Sequence, residues 1–137
     1  MADVIRKVVY YKIEVPDKPG EGARILSALK AGGVNLLAFS GFPSGRRAQM
    51  DFIPEDEAIF KKASKTAGLK LSAKKTGFLV QGNDRVGAVS GIMTKVAEAK
   101  INITALDAIV AGGGRYGAIF WVKSADVRKT AKLLDAK

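Results

Sequence analysis

A chain of 137 residues with 47% hydrophobic and 26% charged side chains has room for one ordinary domain or two very small ones, and its composition is that of a folded protein. It contains no cysteine and no histidine, which excludes a disulfide framework, a thiol nucleophile, the usual zinc ligands and the commonest general base. The net charge of +10 has to be placed, because such an excess suits a polyanion unless it is spread over solvated faces.

The opening MADVIRKVVYYKIEV meets charge at Asp3, Arg6, Lys7 and Lys12 before any apolar run develops, so no signal peptide is expected. VVYYKIEV then alternates Val9, Tyr11, Ile13 and Val15 against more polar neighbours, a strand. A DKPG turn leads to Ile25, Leu26 and Leu29 at helical spacing, closed by Gly32 and Gly33. VNLLAFSGF and RRAQMDFI read as two strands joined by a hairpin at residues 43–45. EDEAIFKKASKTAG is a second helix, with acids in its first turn and Gly68 at its end, and LKLSAKK reads as a fourth strand. The uncharged stretch 31–45 is too short and glycine-rich to span a membrane, and a cytoplasmic protein is expected.

TGFLVQG and NDRVG follow, then Val89, Ile92, Met93 and Val96 at helical spacing, and the strand INITALDAIVA. GGGRYG, the strand AIFWVK and a last helix, with Ser124 as its expected cap, complete the chain. The order repeats. PDKPGEGARILSALKAGGVNLLA aligns without a gap on NDRVGAVSGIMTKVAEAKINITA, with Asp17 on Asp84, Lys18 on Arg85, Gly20 on Gly87, Asn35 on Asn102 and Ala38 on Ala105, each pair 67 positions apart. The expected fold is α+β: two tandem ferredoxin-like βαββαβ sandwiches, residues 1–75 and 76–137, the second lacking its last strand. Each half is small for an independent core, so the two are expected to pack as one pseudo-symmetric unit. Losing that strand leaves the edge of TGFLVQG, with Phe78, Leu79, Val80 and no charge, as an open template, so a homodimer or larger assembly is expected to cover it.

GGGRYG has the glycine spacing of a dinucleotide-binding loop. Lying between two strands, it offers no helix N-terminus to a pyrophosphate and is expected to be a tight hairpin. Six lysines and no acid lie between residues 58 and 83, at Lys61, Lys62, Lys65, Lys70, Lys74 and Lys75. No aromatic side chains are interleaved among them to stack bases, so a solvated helix face and a lysine-protected strand outweigh a nucleic-acid patch.

The repeated polar residues are the candidates for binding. Asp17 and Asp84 precede the first helix of each repeat, where free N–H groups favour a carboxylate, and Asn35 and Asn102 begin the second strands. Helix capping and turn formation account equally well for either residue alone. The end of strand one and the start of strand two lie at different ends of such a sheet, so one repeat is not expected to complete a site; two packed together are.

DKPGEGARILSALKAGGVNLLA resembles the D-x-P-G…G-(V/I)-N-(I/L) signature of ACT domains, small amino-acid-binding regulatory modules, and NDRVGAVSGIMTKVAEAKINITA resembles a second copy. The resemblance covers nearly the whole chain, with Val86 standing where the usual proline belongs. It implies an amino-acid ligand at a domain interface, held by the loop residues Asp17, Lys18 and Gly20, by Asn83, Asp84, Arg85 and Gly87, and by Asn35 with Leu36 and Asn102 with Ile103. It also implies no catalytic residues, no cofactor and no metal, and a regulated metabolic enzyme as partner.

Two rivals share the fold. RYGAIFW partly resembles the third-strand motif of RNA-recognition domains, but lacks the glycine after Arg115 and has Ala118 where a stacking aromatic belongs. VQGNDR resembles an acylphosphatase phosphate loop, which would need Arg85 free for phosphate, but Asn102 lies on the wrong strand for that pattern.

Overall fold

The alternation of Tyr11, Ile13 and Val15 predicts only part of the longest strand. In the computed structural model, which describes residues 3–137, β1 runs from Val4 to Pro16. It is followed by α1 (Glu21–Ala31), β2 (Leu36–Ser44), β3 (Arg47–Pro54), α2 (Glu57–Thr66), β4 (Lys75–Asn83), α3 (Ser90–Glu98), β5 (Ile103–Gly112), β6 (Arg115–Val122), a 3-10 turn (Ser124–Asp126) and α4 (Val127–Leu133). Among the described residues this is an α+β architecture of six strands and four α-helices, consistent with ACT-like ferredoxin folds. The described residues divide into two units, residues 9–75 and residues 3–8 with 76–137.

In the unit of residues 9–75 the strands lie in the order β2-β3-β1, antiparallel throughout. Tyr11 pairs with Phe52, Ile13 with Met50 and Val15 with Ala48, which turns these side chains to the helices, where they bury with Ile25, Leu29 and Phe60. Tyr11 stacks on Phe60 and donates its hydroxyl to Glu57; burial, then Glu57, pushes the Tyr11 pKa up to about 12. Asp56 caps α2, its Oδ1 accepting the Ile59 N–H at 3.1 Å. Residues 69–75 were expected to be a fourth strand; 69–74 are not one, and Lys75 opens β4. Among the described residues of this segment, Ser72 is the one bonded to β1, its N–H donating to the Lys12 carbonyl and its Oγ accepting the Lys12 N–H, both at 2.9 Å. Leu69 and Leu71 pack on the core, but one bonded residue does not make a ladder.

In the other unit the order is β1-β4-β6-β5, with residues 4–8 of β1 beside β4. Phe78, Val80, Tyr116, Ala118, Phe120 and Val122 face α3 and α4 and form the core with Ile92, Val96 and Leu134. Residues 4–8 occupy the place of the missing fourth strand: Ile5 packs on this core, and its carbonyl accepts the Lys137 N–H at 3.1 Å.

Three expectations change accordingly. The division at residues 1–75 and 76–137 differs at its start, because the first residues of the chain belong with the second repeat. The edge of β4 is not an open template, since the chain's own N-terminal strand covers it, which removes the argument for a dimer through that edge. The strand left at the edge of this unit is β5, with Ile109 73% and Val110 60% exposed. Finally, Ser124 does not cap the last helix; it opens a 3-10 turn, and neither that turn nor α4 has a side-chain cap.

Candidate functional site

Both repeats place a left-handed glycine shortly before their first helix, Gly20 and Gly87. In the first, the chain leaves β1 at Pro16 and turns at once, the Lys18 N–H donating to the Pro16 carbonyl at 3.0 Å. Gly20 then adopts φ 92°, in the left-handed region that favours glycine, and becomes the N-cap of α1 with no side chain capping it. Asp17 and Lys18 are exposed, and among the described residues the Asp17 carboxylate makes no hydrogen bond or ion pair. The capping account of Asp17 therefore fails. Inside the first turn, Arg24 Nε donates to Glu21 at 2.8 Å and holds that carboxyl below its usual range.

Asn35 begins the second half of the candidate set. Its Nδ2 donates to Glu55 Oε2 at 3.1 Å, and its carbonyl accepts the Glu55 N–H at 2.9 Å. A register shift interrupts the β2–β3 pairing between Leu36 and Ala38. The matching shift in the second repeat falls between Ile103 and Ala105, directly after the exposed Asn102. Irregularities of this kind re-aim side chains, and here they occur at one place in both copies.

Neither aspartate meets its own repeat's asparagine. Asp17 follows Pro16, which pairs with Arg47, whereas Leu36 after Asn35 pairs with Pro54. Those partners stand at opposite ends of β3, about 23 Å apart at the rise of an extended strand. The same holds for Asp84 and Asn102, because Asn83 pairs with Arg115 and Ile103 with Val122. One repeat alone cannot bring both to a single small ligand.

The loop of the second repeat keeps the left-handed glycine, starts its helix later, at Ser90 after the N-cap Val89, and changes the chemistry. Gly87 adopts φ 73°, and no side chain caps α3. The exposed Asp84 donates its N–H to the Gly114 carbonyl at 2.8 Å, which ties the loop to the β5–β6 hairpin. Asn83 Oδ1 accepts from Arg115 Nη1 at 2.9 Å, and the Asn83 carbonyl accepts from Arg85 Nη1 at 2.8 Å. The Arg85 guanidinium then forks onto Asp3, Nη1 to Oδ1 at 3.1 Å and Nη2 to Oδ2 at 3.0 Å, and lies 5.9 Å from the centre of the Tyr116 ring. Arg85 holds the Asp3 carboxyl below its ordinary range. Burial raises the Tyr116 hydroxyl pKa, and Asp3 raises it further.

Sequence reading placed Asn83 and Arg85 here but missed Asp3, Gly82 and Tyr116. The available signal was Gly82 within a strand, which marks a close approach: a Cβ there would lie 2.0 Å from Asp3 Oδ1 and 3.0 Å from Tyr116 Cε1.

The remaining motifs resolve plainly. Gly112, Gly113 and Gly114 have φ values of 85°, 61° and 73° in the hairpin between β5 and β6, and no helix follows to receive a dinucleotide. Lys61, Lys62, Lys65, Lys70, Lys74 and Lys75 are all exposed, and Lys74 pairs with Glu57 at 3.4 Å. Tyr116, Phe120 and Trp121 are buried, so they offer no platform for stacking bases. Arg85 is engaged by Asp3 rather than open to phosphate. Among the described residues no cluster of His, Cys, Asp or Glu could hold a metal, and no helix is long and apolar enough to cross a membrane.

No protein-family model matches the chain, and no curated protein matches it. Solved structures do. A protein of Bacteroides thetaiotaomicron superposes with a TM-score of 0.79 at 15% identity, over 97% of this chain and 88% of that one. The ligand-free regulatory subunit of aspartate kinase from Thermus thermophilus gives 0.66 at 16% identity, over 98% of this chain and 95% of that one. Aspartate kinase from Clostridium acetobutylicum, described as an allosteric enzyme, gives 0.58 at 19% identity, over 97% of this chain and 33% of the enzyme. This chain thus has the fold of aspartate kinase regulatory subunits.

Proposed function

We propose that the chain is a regulatory module of the ACT type that binds an amino acid and acts on a metabolic enzyme, without catalysis of its own. The observation that carries the reading is the loop geometry: Gly20, left-handed, is the N-cap of α1 with no side chain capping it, and the left-handed Gly87 stands three residues before α3, which no side chain caps either. Uncapped first-turn N–H groups suit the carboxylate of a zwitterion. Asp17, exposed and without a partner among the described residues, suits its ammonium. The shared fold of aspartate kinase regulatory subunits supports the same reading. Asn35 and Asn102, at the far ends of their sheets, are candidates for a separate contact to a ligand.

A thermal-shift screen against the twenty amino acids tests this, because a ligand that binds only the folded state raises apparent stability. At least one should stabilise the protein. Asp17→Ala should weaken that binding roughly ten- to a hundred-fold, the equivalent of about 1.5–3 kcal/mol for a charge-assisted hydrogen bond, without unfolding the chain. No stabilisation by any amino acid, with calorimetry equally silent, would refute the sensor reading. Assembly is a further part of the proposal: the exposed edge β5, rather than β4, is where a second copy would pair, and Ile109→Lys should then shift the sedimentation of the protein toward the monomer.

A further inference from the structure

We propose that the second repeat contains a carboxylate-binding cradle, formed by Arg85, Tyr116 and Gly82, which the chain's own Asp3 fills. The geometry is that of a built site. The Arg85 guanidinium presents both terminal nitrogens to one carboxylate, at 3.0 and 3.1 Å, the bidentate arrangement that planar anion recognition uses. Its own orientation is fixed from behind by the Asn83 carbonyl at 2.8 Å, and Arg115 holds the Asn83 side chain in turn. Gly82 contributes empty volume: Asp3 Oδ1 sits within 2.0 Å of the point where any Cβ would stand. The Asp3 side chain is accordingly only 11% exposed.

Tyr116 supplies the independent sign that the cradle is made for more than Asp3. It is 5% exposed, and its hydroxyl makes no well-formed hydrogen bond although it lies beside the Asp3 carboxylate. A buried hydroxyl left unpaired is costly, and a donor aimed at an anion is a donor waiting for a better-placed acceptor. Asp3 is attached to β1 and gives both its oxygens to the Arg85 fork, so it meets the Tyr116 hydroxyl without a well-formed bond. A free carboxylate has no such tether. The first repeat has nothing comparable: by strand pairing Val15 stands at the Gly82 position, Ala48 at the Tyr116 position, and Lys18 replaces Arg85.

The argument rests on this cluster and not on the amino-acid reading above, so the two fail separately. An internal carboxylate competes at an effective concentration on the order of millimolar or more, which masks the cradle from outside ligands. The test is a titration of the full chain with sodium acetate, against sodium chloride at equal ionic strength, following the Arg85 Nε–H resonance by NMR. In Asp3→Ala the shift should be saturable, specific to acetate and at least roughly ten-fold tighter than in the wild type. It should disappear in the Asp3→Ala/Arg85→Ala double variant, followed at the Tyr116 amide. Asp3→Asn, which keeps the side chain's size and can still accept from Arg85, provides the same comparison should Asp3→Ala unfold. Equal acetate affinity with and without the Asp3 carboxylate would overturn the proposal, as would an identical response to chloride or no saturation in either single variant.

Discussion

The two repeats share a strand order and differ in what it holds. Both place a left-handed glycine before the first helix, both shift register just after the asparagine, and both bury a phenylalanine at the same place in the third strand, Phe52 and Phe120. Yet the first repeat closes its loop mouth with Val15 and Ala48, while the second opens it with Gly82 and lines it with Arg85 and Tyr116. Their fourth strands differ too. The first repeat has its own segment, residues 69–74, which bonds to β1 at Ser72; the second takes residues 4–8 instead. Matching strand order with unequal linings indicates that fold and loop chemistry are set by separate residues in this chain.

The shared part predicts matched effects. Phe52→Ala and Phe120→Ala each remove a fully buried ring and should each cost about 3–5 kcal/mol in urea unfolding. A cost in one repeat but not the other would mean that only one core is close-packed. The next comparison separates the helix ends. A Cβ on Gly32 would lie 2.4 Å from Ala63 Cβ and 3.3 Å from the Ala63 backbone, so Gly32→Ala should push α1 from α2 and cost about 1–3 kcal/mol. Its counterpart is Ala99, which already carries a Cβ, and Ala99→Gly should cost only about 0.5–1 kcal/mol. Similar values for both would dissolve the distinction.

The parts that both repeats share were the parts legible in sequence. Apolar periodicity gave the helices through Ile25, Leu29, Ile92 and Val96, all of them buried, and the matched glycines gave the turns. What periodicity could not carry was partnership over distance. LKLSAKK alternates like a strand, but whether it forms one depends on how much of β1 is left to pair with it, and among the described residues Ser72 is the one that engages. Likewise Asp3 reads as one charge in a polar leader. Its role depends on Arg85, 82 positions away, and on the space that Gly82 leaves. The candidate loop was legible as a motif, whereas the separation of Asp17 from Asn35 had to come from strand register.

A finer comparison lies just beyond the helices. Gly33 adopts φ 78° after α1, and Lys100, its match after α3, holds φ 60°. For an L side chain this conformation costs roughly 1–2 kcal/mol, so Gly33→Ala should destabilise by about that amount. Lys100→Gly should relieve the same strain against a larger entropy of the unfolded chain, leaving stability unchanged or higher by up to about 1 kcal/mol. Thermal unfolding of the two variants side by side reads the difference, and a clear loss on Lys100→Gly would show that the lysine stem packs more than it strains.

The smallest expected effect is the dependence of the Asp3–Arg85 pair on pH, a feature that the first repeat lacks. Hydrogen bonding to Arg85 lowers the Asp3 pKa in the folded protein, so ionised Asp3 favours the folded state. The sign follows from that direction. The contribution is fully present above the ordinary aspartate value of about 3.9 and is lost as the pH falls through the lower folded value. Arg85 stays charged and Tyr116, with its raised pKa, stays neutral over the whole of this range, so neither masks the transition. Urea midpoints of the wild type and Asp3→Asn should therefore differ by a constant amount from about pH 5 to pH 8 and converge in stronger acid. The amount should be small, because Arg85 remains partly in contact with solvent and exposed ion pairs contribute little. A difference that grows as the pH falls would reverse the sign, and it would show that Asp3 is held by something other than the Arg85 fork.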